Sequence, residues 1–254
     1  MKVYLLVVCL FASLAFGQRP NILFILSDDQ APHTLSFYGN GICRTPNLDQ
    51  LAKGGIVLDR AYHMGSMSGA VCSPSRTMMM SGRTLWNLPP RGKKHLKKEE
   101  GKPSGGDILA NTIPAVFNRA GYSTFRTCKN GNSYGLANAL FQEVKDKSCR
   151  NADDESGSQW HGRQVMDYLA AREKKDEKKP FFIFYGFSHP HDARNGREDL
   201  LRKYGAENVS EPPQKLNPKS PKLPVSWLPE HPFHHGHPGL RDEVSVPGVK
   251  TSRT

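Results

Sequence analysis

The amino-acid sequence predicts an α/β fold in which helices flank a largely parallel central sheet. Apolar runs of strand length alternate with segments of helical periodicity, and such a β-α-β succession favours parallel strands. The predicted strands cover residues 21–26, 56–62, 122–127 and 180–187. The predicted helices cover residues 46–53, 77–80, 108–120 and 159–173.

The first strand and the first helix carry clear local signals. Residues 21–26 form a nearly continuous apolar run, which predicts a strand that is buried on both faces. Thr45 and Pro46 then predict a helix N-cap followed by proline at the first helical position. Gly54 and Gly55 predict the end of that helix.

The chain begins with a pattern typical of a secretory signal peptide. Lys2 precedes an apolar run over residues 3–16, which is too short to form a stable bilayer-spanning anchor. Ala15 and Gly17 are small residues suited to cleavage before Gln18. We therefore predict a signal peptide over residues 1–17 and an exported protein. The alternative, a buried N-terminal helix, is less consistent because the run has no polar face.

The remaining chain divides by composition. We predict a catalytic α/β domain over residues 18–205. Residues 206–254 carry many prolines and few periodic apolar residues, which predicts an irregular segment of the same domain. Within it, the histidine-rich residues 231–237 are typical of transition-metal binding, but this pattern is a weaker indication than the motifs below.

The net charge is +11 and much of the excess lies in two basic blocks, residues 91–98 and 174–179. Such blocks usually form solvated loops or helix faces, although a positive surface also attracts anionic substrates. The blocks are not interleaved with aromatic residues, and this argues against nucleic acid as a partner.

Two adjacent carboxylates, Asp28 and Asp29, follow the first predicted strand. Strand ends in open α/β sheets face the ligand crevice, and a divalent cation would relieve the repulsion between two such groups. Oxygen-only ligands favour Ca²⁺ or Mg²⁺. The alternative is an aspartate pair that caps a helix or turn, which is the commoner case in an arbitrary protein.

The string Cys72-x-Pro-x-Arg76 follows about one strand-helix-loop unit later. Together with the tandem aspartates, it resembles the N-terminal half of the type I sulfatases, members of the alkaline-phosphatase superfamily. The resemblance covers residues 19–192 and implies an alkaline-phosphatase-like fold and the hydrolysis of a sulfate ester. Its implied substrate is a carbohydrate sulfate or a small alkyl sulfate.

The resemblance also assigns roles to this motif. In sulfatases the motif cysteine, here Cys72, is oxidised by a separate maturing enzyme to formylglycine, and the hydrated aldehyde is the nucleophile. Arg76 would stabilise the modified residue through charge-assisted hydrogen bonds. Asp28, Asp29 and residue 72 would be the metal ligands, with Ca²⁺ as the expected cofactor and Mg²⁺ as the alternative.

Lys129 ends a stretch, GYSTFRTCK over residues 121–129, that resembles the second signature of the family. The resemblance implies that this lysine binds substrate and neutralises a sulfate oxygen in the transition state. Cys128 replaces the usual glycine, and Asn130 and Gly131 replace Trp-His, so the family histidine beyond the lysine is missing. Without the preceding motif, Lys129 would be interpreted as an ordinary surface lysine.

A strongly apolar strand leads into His189 and His191. An imidazole titrates near neutral pH and can protonate a leaving alkoxide. His191 aligns better than His189 with the substrate-contacting histidine of the family, which implies a role in substrate binding and catalysis. The alternative is that both are loop histidines with no catalytic role.

The four cysteines beyond the predicted signal peptide leave three complete pairings open. If Cys72 is reserved for catalysis, an odd number remains. We then expect a Cys128–Cys149 disulfide and a free Cys43.

The family carries a second pair of metal ligands and a further sulfate-binding lysine far downstream, and neither is found before Thr254. The expectation is therefore a C-terminally truncated sulfatase with poor activity and marginal stability. The alternatives are a phosphodiesterase or phosphonate hydrolase of the same superfamily, and a non-catalytic protein that binds polyanions through the two basic blocks. No membrane partner is expected after signal removal.

Overall fold

A computed structural model of the protein describes residues 19–62, 71–88, 108–149, 151, 153–191 and 196–203. The predicted signal peptide, the basic block at residues 91–98 and the segment 206–254 with its histidine-rich tract lie outside the described residues. Among the residues described, no helix is both long and apolar enough to cross a membrane.

In the described residues, four parallel strands form the central sheet in the order β1-β4-β2-β3. They are β1 (Ile22–Leu26), β2 (Ser123–Cys128), β3 (Glu143–Val144) and β4 (Phe181–Gly186). The register aligns the carboxyl ends of three strands, because Gly186 of β4 lies opposite both Leu26 of β1 and Cys128 of β2. The residues that follow these strands therefore emerge at one edge of the sheet.

Helices pack on both faces of this sheet. The helices of the described residues are α1 (Pro46–Gly54), α2 (Cys72–Ser81), α3 (Ile113–Arg119), α4 (Gly135–Asn138), α5 (Ser158–Lys174) and α6 (Glu198–Lys203). On one face, the ring of Phe117 from α3 stacks on Phe182 with centroids 4.3 Å apart. On the other face, Tyr168 from α5 stacks on Phe125, also at 4.3 Å. These apolar clusters pack helices against the two faces of the sheet, and the arrangement confirms the predicted fold class.

The predictions for the strands at 21–26 and 56–62 require correction. β1 lies at the edge of the sheet formed by the described residues, and Leu23 and Ile25 on one of its faces are about half exposed rather than buried. Residues 56–62 form no strand, and Ile56 is 93% exposed. A strand needs a neighbour to pair its backbone groups, and this segment does not join the described sheet.

Two helix predictions also differ from the structure. The helix predicted over 77–80 begins five residues earlier, so that Cys72 lies in its first turn, where Pro74 is tolerated. The helix predicted over 108–120 is divided: a 3₁₀ turn covers Leu109–Asn111, Thr112 is extended, and α3 starts afterwards. Pro114 explains the division, since its ring would clash inside a continuous helix and is accepted only in a first turn.

Candidate active site

The predicted site residues come together at the carboxyl edge of the sheet. Asp28 follows β1, Lys129 follows β2 and His191 follows β4, while the first turn of α2 brings Cys72 to the same place. All four side chains are buried. The tertiary structure thus collects residues that span 164 positions, from 28 to 191 inclusive, into one cluster.

Asp28 is the centre of this cluster. Its carboxylate lies 3.6 Å from Cys72 Sγ and 3.5 Å from Arg76 Nη2, and it forms an ion pair with the ammonium of Lys129. Lys129 Nζ is also 3.7 Å from Cys72 Sγ. Two buried cations therefore neutralise Asp28 and lie next to the position where chemistry at residue 72 would occur.

Asp29 has different surroundings from its neighbour. Its φ of 63° lies in the left-handed region, which aspartate adopts more readily than most residues. Its half-exposed carboxylate is 3.7 Å from His191 Nε2. The backbone N–H of Asp28 donates to the carbonyl of His189 at 3.2 Å, and this bond ties the end of β1 to the loop after β4.

The two candidate histidines occupy different positions. His191 faces the aspartate pair, whereas His189 Nδ1 is 2.6 Å from the hydroxyl of Ser158 at the start of α5. His191 is therefore the histidine that the structure brings beside Asp29.

Burial raises the pKa of the Cys72 thiol above its ordinary value, and the negative charge of Asp28 raises it further. Lys129 opposes this rise through its positive charge. The thiol is therefore protonated at neutral pH, and only the deprotonated form of a cysteine is a strong nucleophile. An unmodified Cys72 is accordingly poorly suited to attack a substrate.

The expected Cys128–Cys149 disulfide is wrong: Cys43, Cys72, Cys128 and Cys149 are all free thiols. Cys128 instead accepts a hydrogen bond from Arg76 Nη1 at 3.0 Å. Sequence reasoning missed this contact because the pairing of cysteines by number directed Cys128 to a disulfide with Cys149 instead. The available signal was its position directly before Lys129, at the predicted end of a strand.

Asp28, Cys72 and His191 offer ligand atoms that lie within 4.8 Å of one another. The predicted ligands Asp28 and Cys72 are thus adjacent, whereas Asp29 lies toward His191. The carboxylate of Asp28 beside residue 72, with that of Asp29 nearby, fits part of the shell of a hard divalent cation, which takes about six to eight oxygens in the case of Ca²⁺. Lys129 and Arg76 already neutralise Asp28, so a cation at this position needs further ligands.

Comparison with known proteins decides the family. The family model named Sulfatase matches residues 20–218, which is most of the chain. The chain belongs to the sulfatase family. The motif resemblance noted in the sequence is thereby confirmed.

Individual proteins match parts of the chain. The N-acetylglucosamine-6-O-sulfatase of Bacteroides thetaiotaomicron is 31% identical over 107 residues, which are 42% of this chain and 17% of that protein. A protein solved in complex with its substrate D-glucosamine-2-N,6-O-disulfate has a TM-score of 0.51 at 24% identity and covers 68% of this chain and 35% of its own.

The likeness extends to the superfamily. A protein in the alkaline phosphatase superfamily from Vibrio parahaemolyticus has a TM-score of 0.51 at 18% identity, over 72% of this chain and 43% of that one. At this identity the likeness shows the fold alone, and the fold agrees with the predicted alkaline-phosphatase-like architecture. The sulfatase chain described here spans less than half the length of each of these three proteins.

Proposed function

We propose that this chain hydrolyses sulfate esters at the carboxyl edge of its sheet, with residue 72 as the nucleophilic position. The observation that supports this most strongly is the set of buried contacts around Cys72, in which Asp28 lies 3.6 Å and Lys129 3.7 Å from its Sγ. Few structural roles require a buried lysine, a buried arginine and a buried aspartate around one thiol, whereas a reaction on an anionic ester does.

The resemblance to sulfatases implies that a separate maturing enzyme converts Cys72 to formylglycine, and the raised pKa of Cys72 makes the unmodified thiol a poor nucleophile. When formed, the formylglycine supplies a hydrated aldehyde, in which one hydroxyl attacks sulfur and the other expels sulfate by re-forming the aldehyde. Lys129, beside Cys72 Sγ, would bind a sulfate oxygen and stabilise the charge on it. Arg76 would hold the Asp28 carboxylate and the modified residue in place.

His191 would donate a proton to the leaving alkoxide. It is buried at the same edge as residue 72, and its Nε2 lies 3.7 Å from Asp29 Oδ2. Such a donor is needed because an alkoxide of a sugar is a poor leaving group in water.

A divalent cation, Ca²⁺ or Mg²⁺, would be held by the carboxylates of Asp28 and Asp29 together with the side chain of residue 72. When bound, it would draw charge from the sulfate ester and so assist attack on sulfur. The remaining oxygens of its shell would come from water or from residues other than those described.

The catalytic domain is assigned to residues 18–205 and residues 206–254 to the same domain, in a protein exported after removal of residues 1–17. Its substrate class is a sulfated carbohydrate or a small alkyl sulfate. Relatives named as an N-acetylglucosamine-6-O-sulfatase and as a protein with a disulfated glucosamine substrate support this choice.

Two measurements test this function together. Mass spectrometry of the peptide containing Cys72, from protein made in its native host, should show a side chain in which an aldehyde oxygen replaces the thiol. The same protein should release sulfate from an aryl sulfate faster than a Cys72→Ala variant does. Retention of the thiol, or faster cleavage of an aryl phosphodiester than of the sulfate, would contradict the proposal.

A further inference from the structure

Cys128 is a buried thiol beside the catalytic cluster, and it contacts Arg76 rather than residue 72. It is the last residue of β2 and is fully buried, at 0% exposure. Its Sγ accepts a hydrogen bond from Arg76 Nη1 at 3.0 Å.

Among the described residues, Cys128 Sγ is the acceptor to which the guanidinium of Arg76 is hydrogen-bonded. Within the described part of the chain, the other terminal nitrogen, Nη2, makes no hydrogen bond and lies 3.5 Å from Asp28 Oδ1. A buried guanidinium with a single hydrogen bond depends strongly on that bond for its orientation. The contact with Cys128 therefore acts together with the ion pair to set how Arg76 faces the carboxylate of Asp28.

The neighbouring strand is adapted to this thiol. Gly186 of β4 pairs with Cys128, and a Cβ added at Gly186 would lie 2.5 Å from Cys128 Sγ and 3.5 Å from Arg76 Nη1. The φ of Gly186 is not in the left-handed region, so the backbone conformation does not require glycine here. The absence of a side chain at residue 186 instead provides the space that the thiol occupies.

We propose that Cys128 is a positioning residue for catalysis: its thiol fixes Arg76, and Arg76 in turn fixes Asp28 beside residue 72. This inference rests on the proposed sulfatase function, since it assigns Cys128 a part in the same site. The order of contacts is Cys128 Sγ to Arg76 at 3.0 Å, Arg76 to Asp28 at 3.5 Å, and Asp28 to Cys72 Sγ at 3.6 Å.

Kinetic comparison of Cys128→Ala and Cys128→Ser tests this role in protein whose formylglycine content is verified. The alanine variant should lower kcat for an aryl sulfate about tenfold, the effect expected of one hydrogen bond to a charged group, with KM changed less than about twofold. The serine variant keeps an acceptor and should recover kcat to within about threefold of the wild type. Gly186→Ala, which displaces the thiol, should lower kcat as Cys128→Ala does.

Cys149→Ala is the matched control, because it removes another fully buried thiol outside the cluster. Equal losses of kcat in Cys149→Ala and Cys128→Ala would show that the loss of buried packing alone lowers kcat, and would overturn the proposal. An unchanged kcat in Cys128→Ala would overturn it as well.

A second readout does not depend on turnover. The guanidinium N–H signals of Arg76 can be assigned in NMR spectra by comparison with an Arg76→Lys variant. In the wild type and in Cys128→Ser, hindered rotation of the guanidinium should give separate N–H signals. In Cys128→Ala, free rotation should average them. If the wild-type chain releases no sulfate, the proposed function fails, and these signals still decide whether Cys128 positions Arg76. Separate Arg76 N–H signals in Cys128→Ala would refute the inference, whether or not the chain releases sulfate.

Discussion

Replacing the imidazole of His161 should reduce the loss of folding stability that the protein shows on acidification. His161 lies on α5, is 0% exposed, and places its Nδ1 2.8 Å from the hydroxyl of Thr127 on β2. The pKa of His161 is lowered from 6.5 to about 4, mainly by burial and also by the charges of Arg126 and Lys147, whereas a hydrogen bond with the backbone of Lys147 opposes the change. The imidazole is therefore neutral in the folded protein at physiological pH.

The direction of the pH dependence follows from the difference between the pKa of His161 in the folded and unfolded chains. Between pH 6.5 and about 4 the unfolded chain protonates this histidine and the folded chain does not. The folded state therefore loses stability as the pH falls through this window, and above the upper limit His161 has no effect on the pH dependence. The difference between the two pKa values corresponds to about 3 kcal/mol, a large part of the stability of a typical domain.

Urea unfolding of the wild type and of His161→Gln across this pH range measures the effect. The carboxylates titrate similarly in both proteins, so the difference between the two free energies of unfolding isolates the histidine. The wild type should lose about 3 kcal/mol more than the variant on acidification. Parallel pH dependences in the two proteins would refute the reasoning.

Two further predictions concern a buried ion pair and the metal. Arg126 Nε lies 2.9 Å from Asp146 Oδ2, and burial raises the pKa of Asp146 although Arg126 opposes the rise. Asp146→Asn should lower the free energy of unfolding by about 3–5 kcal/mol, because it leaves the charge of Arg126 without its partner. In urea unfolding at neutral pH, the double replacement Arg126→Met with Asp146→Leu should lose less than the single variant; a greater loss would contradict the argument. Added Ca²⁺ should raise the Tm of the wild type more than that of Asp29→Asn, and equal shifts would argue against a site at the aspartate pair.

Much of the candidate site was accessible from the sequence because its signals are local. The aspartate pair after an apolar run, the Cys72-x-Pro-x-Arg76 string, and His191 after the last strand each need only a few neighbouring residues to be recognised. The parallel α/β architecture was likewise predicted from apolar strand-length runs that alternate with segments of helical periodicity. The specific roles of these residues remain predictions.

The tertiary structure decided what depends on distant residues. The segment 56–62 has the composition of a strand, but strand formation requires a partner that local sequence cannot specify. Likewise, β1 proved half exposed because its place at the sheet edge depends on the order of all four strands. The contact between Cys128 and Arg76 arises from a β-strand register and a helix position set by packing, and residues 52 positions apart carry no joint signal in a single sequence. Local periodicity and side-chain chemistry thus determined which residues could react, whereas strand register and helix packing determined which of them meet.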